Sequence, residues 1–190
     1  MNPLKPRSRI MGVDDGPYIR GSEYTGIIMT IWRLDGYLDG VLASRITTDG
    51  DDSAAVIGDA LVGSRFRDQV RCIISDGGCL GGFNVLDMDQ LNGITSLPVI
   101  TASDEGPDPA SFEKALMASG LDREIRLRAI GAHPPFALDL PDGICYVRSC
   151  GLTDSEAGSV VRRCILRGRM PEPVRIAHMI ASSMGGPGVA

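Results

Sequence analysis

Residues 70–91, VRCIISDGGCLGGFNVLDMDQL, restrict the possible folds more than any other stretch of the chain. The apolar run Val70 to Ile74 ends at Ser75-Asp76. Gly77, Gly78, Gly81 and Gly82 follow, and a helix-like segment begins near Phe83-Asn84. A short apolar run bounded by turn residues fits a buried strand. An acid at the carboxyl end of such a strand stands where open α/β sheets hold their ligands. The glycines let the backbone approach a bound group closely and leave N–H groups free to face an anion. Asp76 is therefore the first candidate for chemistry. The plainer alternative is a solvated acid in a strand–turn–helix connection.

The segments on either side extend this unit into a sheet. Ile10 to Asp14 is a short strand ending in acids, and Asp15-Gly16-Pro17 breaks it. Tyr24 to Trp32 and Tyr37 to Thr47 are β-rich and are joined by a turn containing Asp35-Gly36, a strong hairpin signature. The first ~47 residues thus read as a three-stranded antiparallel meander. Acids and hydroxyls at Thr47 to Ser53 precede Ala54, Val56, Ile57, Ala60 and Leu61, the pattern of a helix start, with an end near Gly63. Asp51 and Asp52 are most simply helix caps. A short helix over Val85 to Leu91 and a buried strand over Pro98 to Thr101 come next. Beyond them the pattern gives a helix over Ala110 to Ser119, an alternating edge strand over Glu124 to Ile130, and a rigid His133-Pro134-Pro135 loop. Ile144 to Val147 reads as a strand. A helix opens at Thr153 to Glu156 with a capping-box pattern and runs to Leu166. The last helix starts at Pro171 to Pro173 and ends at Gly185 to Gly188. The order β-β-β-α-β-α-β-α implies an α/β fold: a mixed sheet of three antiparallel strands followed by parallel strands, with helices on both faces. A ribonuclease H-like core has this order.

Length and composition limit the class. At 190 residues and 43% hydrophobic, the chain can bury one full core, so residues 1–190 read as a single domain with 1–9 as a flexible tail. No apolar run reaches membrane-spanning length, and the basic amino terminus lacks a following apolar stretch, so no signal peptide is expected. The five cysteines are an odd count, which argues against a disulfide framework and for reduced thiols in the cytoplasm. Cys145 and Cys150 have the wrong spacing for a zinc knuckle, and no neighbouring histidine in the sequence completes one. The net charge of −5 excludes a general polyanion binder. Arginines nevertheless crowd residues 162–175, while acids collect at Asp14-Asp15, Asp49 to Asp52 and Asp87 to Asp89. Such polarity suits a metal on one patch with phosphates beside it.

Three acid groups fall at element ends: Asp14 or Asp15, then Asp49, Asp51 or Asp52, then Asp76. Carboxylates from separate strands are costly to crowd together unless a cation compensates. Hard oxygen ligands suit Mg²⁺ or Mn²⁺. Two such ions about 4 Å apart can activate a water and hold the leaving oxygen of a phosphodiester. His178 lies three residues after Arg175 on one helix face, which offers a phosphate- or water-facing pair. The competing reading is a packed structural histidine. His133 reads as a loop residue. No Ser-His-Asp, Walker-type or dinucleotide motif is present.

The segments GVDDGP (12–17), TTDGDD (47–52), SDGGCLGGFNVLDMDQL (75–91), PVI (98–100) and PEPVRIAH (171–178) together resemble the archaeal domain of unknown function 99 family, or endonuclease dU, related to endonuclease V. The resemblance spans nearly the whole chain, and its most specific parts are GFN and PEPVRIAH. It implies a ribonuclease H-like fold and a Mg²⁺-dependent endonuclease that cuts DNA near deaminated bases, deoxyuridine above all, in DNA repair. It places Asp14 and Asp76 as metal ligands and His178 near the family's carboxyl-terminal histidine. Endonuclease V has a glutamate at the start of its first helix. Here Asp49 or Asp52 takes its place, with a shorter reach. Gly77, Gly78, Gly82, Asn84 and Arg175 are the expected nucleic-acid contacts. Pro17-Tyr18-Ile19 resembles the endonuclease V wedge but follows a different strand, so its role does not transfer. Two other readings compete: a nucleic-acid or nucleotide binder that has lost catalysis, and a partner-binding scaffold whose acids are only caps.

Overall fold

The structure is a computed structural model and describes residues 4–19 and 21–184. The expected meander is present: β1 (Arg9–Asp15), β2 (Tyr24–Arg33) and β3 (Tyr37–Thr47) pair antiparallel in sequence order. The chain then runs through α1 (Ser53–Val62) into β4 (Val70–Asp76), which returns to the centre and pairs parallel with β1. The glycine-rich segment folds into a small hairpin, β5 (Cys79–Leu80) with β6 (Asn84–Val85), followed by α2 (Met88–Thr95) and β7 (Val99–Ser103). Then come α3 (Pro109–Ser119), α4 (Arg123–Gly131), β8 (Phe136–Leu140), β9 (Gly143–Cys150), α5 (Asp154–Cys164) and α6 (Glu172–Ser183). The seven-stranded sheet has the order β3-β2-β1-β4-β7-β9-β8. Its two parallel pairs, β1–β4 and β4–β7, lie at the middle, and the far edge turns antiparallel again through β9 and β8.

Side-chain alternation along the central strands builds two cores. Met11, Val13 and Ile73 face one side, where Ile57 and Leu61 of α1 and Met88 and Leu91 of α2 cover them. Ile10, Cys72, Ile74 and Ile100 face the other, under Ala157, Val160 and Val161 of α5 and Val174 of α6. A buried Ile or Leu contributes about 2 kcal/mol. A one-residue slip between β1 and β4 would exchange the faces of several such side chains, so the register is tightly specified.

Helix α6 lies on β1 and β2 because Gly12 leaves room for it. A Cβ on Gly12 would sit 2.2 Å from the Pro173 carbonyl carbon and 2.6 Å from the Val174 nitrogen. Beside it, the Thr30 hydroxyl donates to the Pro173 carbonyl at 2.7 Å and fixes the start of the helix. Val174, Ala177 and Ala181 point inward at helical spacing, and the two alanines pack on Ile28.

Several expectations from sequence are corrected. Residues 124–130 form helix α4, not an edge strand: Asp122 caps it by accepting from the Glu124 and Ile125 N–H groups. Its alternation of charged and apolar residues has another cause. Arg126 is buried because its guanidinium donates to the carbonyls of Phe83, Asp49 and Gly50. The helix expected over Val85 to Leu91 begins at Met88, capped by Asp87, because residues 79–85 are spent on the hairpin. Strand β8, within 136–140, carries little alternation and is visible only through its pairing with β9. Part of the expected 1–9 tail is held by contacts. β1 starts at Arg9, Leu4 packs on the second core, and the Leu4 carbonyl accepts from Arg163. Residues 1–3 and the glycines expected to end the last helix lie outside the described residues. Among the described residues no helix is long and apolar enough to cross a membrane.

The approach of α6 to β1 yields a first prediction. Gly12→Ala should destabilise the protein by about 3 kcal/mol or more, since the obstacle is backbone and cannot swing aside. Urea unfolding should show a lower midpoint with an unchanged slope. An unchanged midpoint would mean that α6 does not dock as described.

Candidate metal centre

The parallel pairing of β1 and β4 sets Val13 beside Ser75. The next residues, Asp14 and Asp76, therefore emerge as neighbours at the carboxyl ends of adjacent strands. Their side chains continue the row of Ile10 and Gly12, and of Cys72 and Ile74, toward the face covered by α6. His178 comes down from α6 to meet them. One donor atom from each of Asp14, Asp76 and His178 lies within 4.8 Å of the others. Nδ1 of His178 is 2.7 Å from Oδ2 of Asp14. The Asp15 N–H donates to the other Asp14 oxygen at 2.9 Å. Asp14 is 4% exposed, whereas the His178 side chain is open to solvent. Nε2 of His178 stands 3.4 Å from the Ser182 hydroxyl. Asp14, Asp15, Asp76, Cys79, His178 and Ser182 are among the residues lining an open cleft of about 520 Å³.

Burial pushes the Asp14 carboxyl up to about 6, against the opposing hydrogen bonds from His178 and the Asp15 N–H. Asp76 is pushed up to about 7, first by burial and then by the negative charge of Asp14, with His178 opposing. Asp15 is also raised by burial, opposed by the Gly81 N–H that donates to its Oδ2 at 2.8 Å. Among the described residues, neither Asp14 nor Asp76 has a Lys or Arg ion-pair partner. Two crowded carboxylates with an imidazole beside them and no fixed cation fit a hard divalent ion. Asp14 and Asp76 would hold it. His178 either joins them as a ligand or orients Asp14.

The other candidate residues divide. Asp49 and Asp52 do not join this group. Asp52 does not cap α1 with its side chain either. Its carboxylate turns back to accept from the Thr47 N–H and hydroxyl and from the Asn84 amide. Asp49 sits at positive φ, and its carboxylate accepts from the Phe83 N–H at 2.8 Å. Asn84, expected to touch nucleic acid, is fully buried. It ties the end of β3 to the start of α1, donating to Thr47 and Asp52 and accepting from the Ser53 N–H. Gly82 is required by the same network: its φ is 87°, and a Cβ there would meet the Asp49 carboxylate at 2.2 Å. Arg175 is bound to Glu172 and does not line the cleft. Gly77 and Gly78 do line a groove, together with Thr101, Ser103, Tyr146 and Arg148. Asp15, the alternative to Asp14 in the sequence, also lines the cleft, whereas the sequence did not single out Cys79 or Ser182. For Ser182 the usable signature was its spacing of four from His178, one turn along the same helix face.

The strand order, with its opening meander and its paired acids at the central strand ends, defines an α/β protein with the ribonuclease H-like fold that endonuclease V also has. The chain belongs to the endonuclease dU family, whose profile matches residues 6–185. It is 35% identical over 182 residues to the UPF0215 protein of Methanothermobacter thermautotrophicus, covering 95% of this chain and 89% of that one. A crystal structure of a protein of unknown function from Archaeoglobus fulgidus matches with TM-score 0.83 at 31% identity, over 94% of this chain and 99% of that one. Ciona intestinalis endonuclease V, in complex with a 24mer DNA containing an inosine followed by a ribo-adenosine, matches with TM-score 0.59 at 14% identity, over 90% and 82% of the two chains. At that identity the shared property is the fold.

Two measurements test the site without any activity. Asp14 and Asp76 titrate in the folded protein well above their usual value of 3.8. As pH rises from about 4, the unfolded chain releases these protons first. The stability of the chelator-treated protein should therefore fall between about pH 4 and 7, by up to about 1.4 kcal/mol per pH unit for each group. Asp76→Asn should raise the melting temperature in chelator, flatten that dependence and abolish the upward shift produced by Mg²⁺ or Mn²⁺. A variant that melts lower and still responds to the ion would overturn the assignment. Asp52→Ala should do the opposite, costing about 1–3 kcal/mol through the orphaned Asn84 and Thr47 groups while leaving the ion-induced shift in place.

Proposed function

We propose that this protein is a divalent-metal-dependent endodeoxyribonuclease that hydrolyses a phosphodiester near a deaminated base, deoxyuridine first among them, in DNA repair. The observation that carries this reading is the convergence of His178 from α6 on Asp14 and Asp76 at the carboxyl ends of two adjacent central strands, with no Lys or Arg paired to either acid among the described residues. The family's description as endonuclease dU and the fold shared with endonuclease V support it.

Asp14 and Asp76 would hold Mg²⁺ or Mn²⁺, which when bound supplies charge for the phosphate oxygens and lowers the pKa of a coordinated water. The chain's own residues do the rest. His178 holds the Asp14 carboxylate in one orientation through Nδ1 and presents Nε2 to the cleft beside Ser182, where it can pass a proton. The groove beside Asp76, walled by Gly77, Gly78, Tyr146 and Arg148, offers an aromatic face and a guanidinium to a DNA strand, while the Gly77 N–H donates to the Ala102 carbonyl. Oligonucleotides carrying uracil, hypoxanthine or no lesion, incubated with and without Mg²⁺, test the proposal directly. Incision should require both the ion and the lesion. Asp14→Asn and Asp76→Asn should each lower the rate by about 10²-fold or more. His178→Gln should cost about 10-fold to 10²-fold. Undiminished cutting by Asp76→Asn would sink the assignment.

One observation favours a second reading. Asp49 and Asp52 are held by other partners, so the group has two carboxylates where a third was expected. A nucleic-acid binder without catalysis would give salt-sensitive DNA binding and no incision in the same assay.

A further inference from the structure

A second group of unlike donors lies at the opposite end of the sheet. Cys150 is the last residue of β9 and pairs with Val99 at the start of β7, whereas Asp76 pairs with Ala102 near the end of β7. Asp89 stands in the first turn of α2, and His133 lies in the loop between α4 and β8. Although 44 and 61 residues from Asp89 in sequence, His133 and Cys150 converge on its Oδ1. The His133 Nε2 is 3.2 Å away and the Cys150 sulfur 3.3 Å. All three donor atoms lie within 4.8 Å of one another.

We propose that Asp89, His133 and Cys150 form a binding site for a borderline divalent ion of the Zn²⁺ class, with solvent at the fourth position. The spacing carries this inference. Zn–O and Zn–N bonds of about 2.0–2.1 Å and a Zn–S bond of about 2.3 Å place donors about 3.3–3.6 Å apart around a tetrahedral ion. Two of the three edges already have nearly these lengths. The donor set, one sulfur, one imidazole and one carboxylate, suits Zn²⁺ and disfavours Mg²⁺, which takes oxygen. The parts are held from behind. Arg148 donates to the carbonyls of Ile130 and His133 at 2.6 and 2.8 Å, and Pro134-Pro135 stiffens the chain after the histidine. Cys150 is nearly buried, while the Asp89 side chain is largely exposed, which leaves an entry path from solvent. Asp87, the cap of α2, adds negative charge nearby. On binding, the thiol proton leaves to solvent as the sulfur–metal bond forms, and the oxidation states are unchanged. Three segments distant in sequence would then be joined at one point.

Cobalt(II) titration of the chelator-treated full chain tests the site. One ion per chain should give a thiolate-to-cobalt charge-transfer band, which stoichiometric Zn²⁺ should bleach. The band should vanish in Cys150→Ser and weaken strongly in His133→Gln, a loop change that leaves the core intact, as checked by circular dichroism. It should persist in Asp76→Asn and in Cys79→Ser, because Cys79 is the thiol that lines the other cleft. A band that survives Cys150→Ser and His133→Gln, or that disappears in Cys79→Ser, would overturn the proposal. So would a titration with no sulfur band at all.

Discussion

The parallel pairing of β1 with β4 is the contact on which the site rests. It places two carboxylates side by side at the end of a sheet whose buried side chains are mostly apolar. Among the described residues no Lys or Arg pairs with either acid, and burial raises both despite the Asp15 N–H that donates to Asp14. The apolar rows that run into Asp14 and Asp76 fix the register, so the fold imposes the charged arrangement rather than tolerating it. Helix α6 completes the group because Gly12 has no side chain to keep Pro173 away. A stable sheet and a costly cluster of acids are thus products of the same strand pairing.

Much of this was legible in the residues alone. The meander, the strand ending at Asp76, and the last helix with His178 follow from turn chemistry and periodicity, and the structure has them. That Asp14 and Asp76 stand at strand ends was legible from the apolar runs that precede them, and the structure makes them neighbours. Asp49 and Asp52, expected as metal ligands, and Asn84, expected at nucleic acid, lie apart from the group because the same residue types are equally suited to tying loops. Only the partners decide, and those partners (Thr47, Phe83 and Ser53) are backbone and hydroxyl groups that carry no mark in sequence. Helix α4 was misread because the buried Arg126 produces a false alternation: its guanidinium serves the carbonyls of a distant turn. The meeting of Asp89, His133 and Cys150 had no local signature at all, since their elements touch only after the sheet is assembled.

The two donor groups differ in physical character. Asp14, Asp76 and His178 line an open cleft, with oxygen predominating and an imidazole exposed to solvent. Asp89, His133 and Cys150 bring sulfur to a site near the start of β7, backed by an arginine that braces the loop. The first suits an exchangeable hard ion beside a polyanion. The second suits an ion that stays with the protein.

The His178–Asp14 contact spans 164 residues. During translation both carboxylates emerge from the ribosome, and the central strands can pair, well before the helix that carries the imidazole is made. A nascent chain therefore owns its acidic pair for some time without the histidine that meets Asp14. Completion of the group is left to a helix made well after both acids.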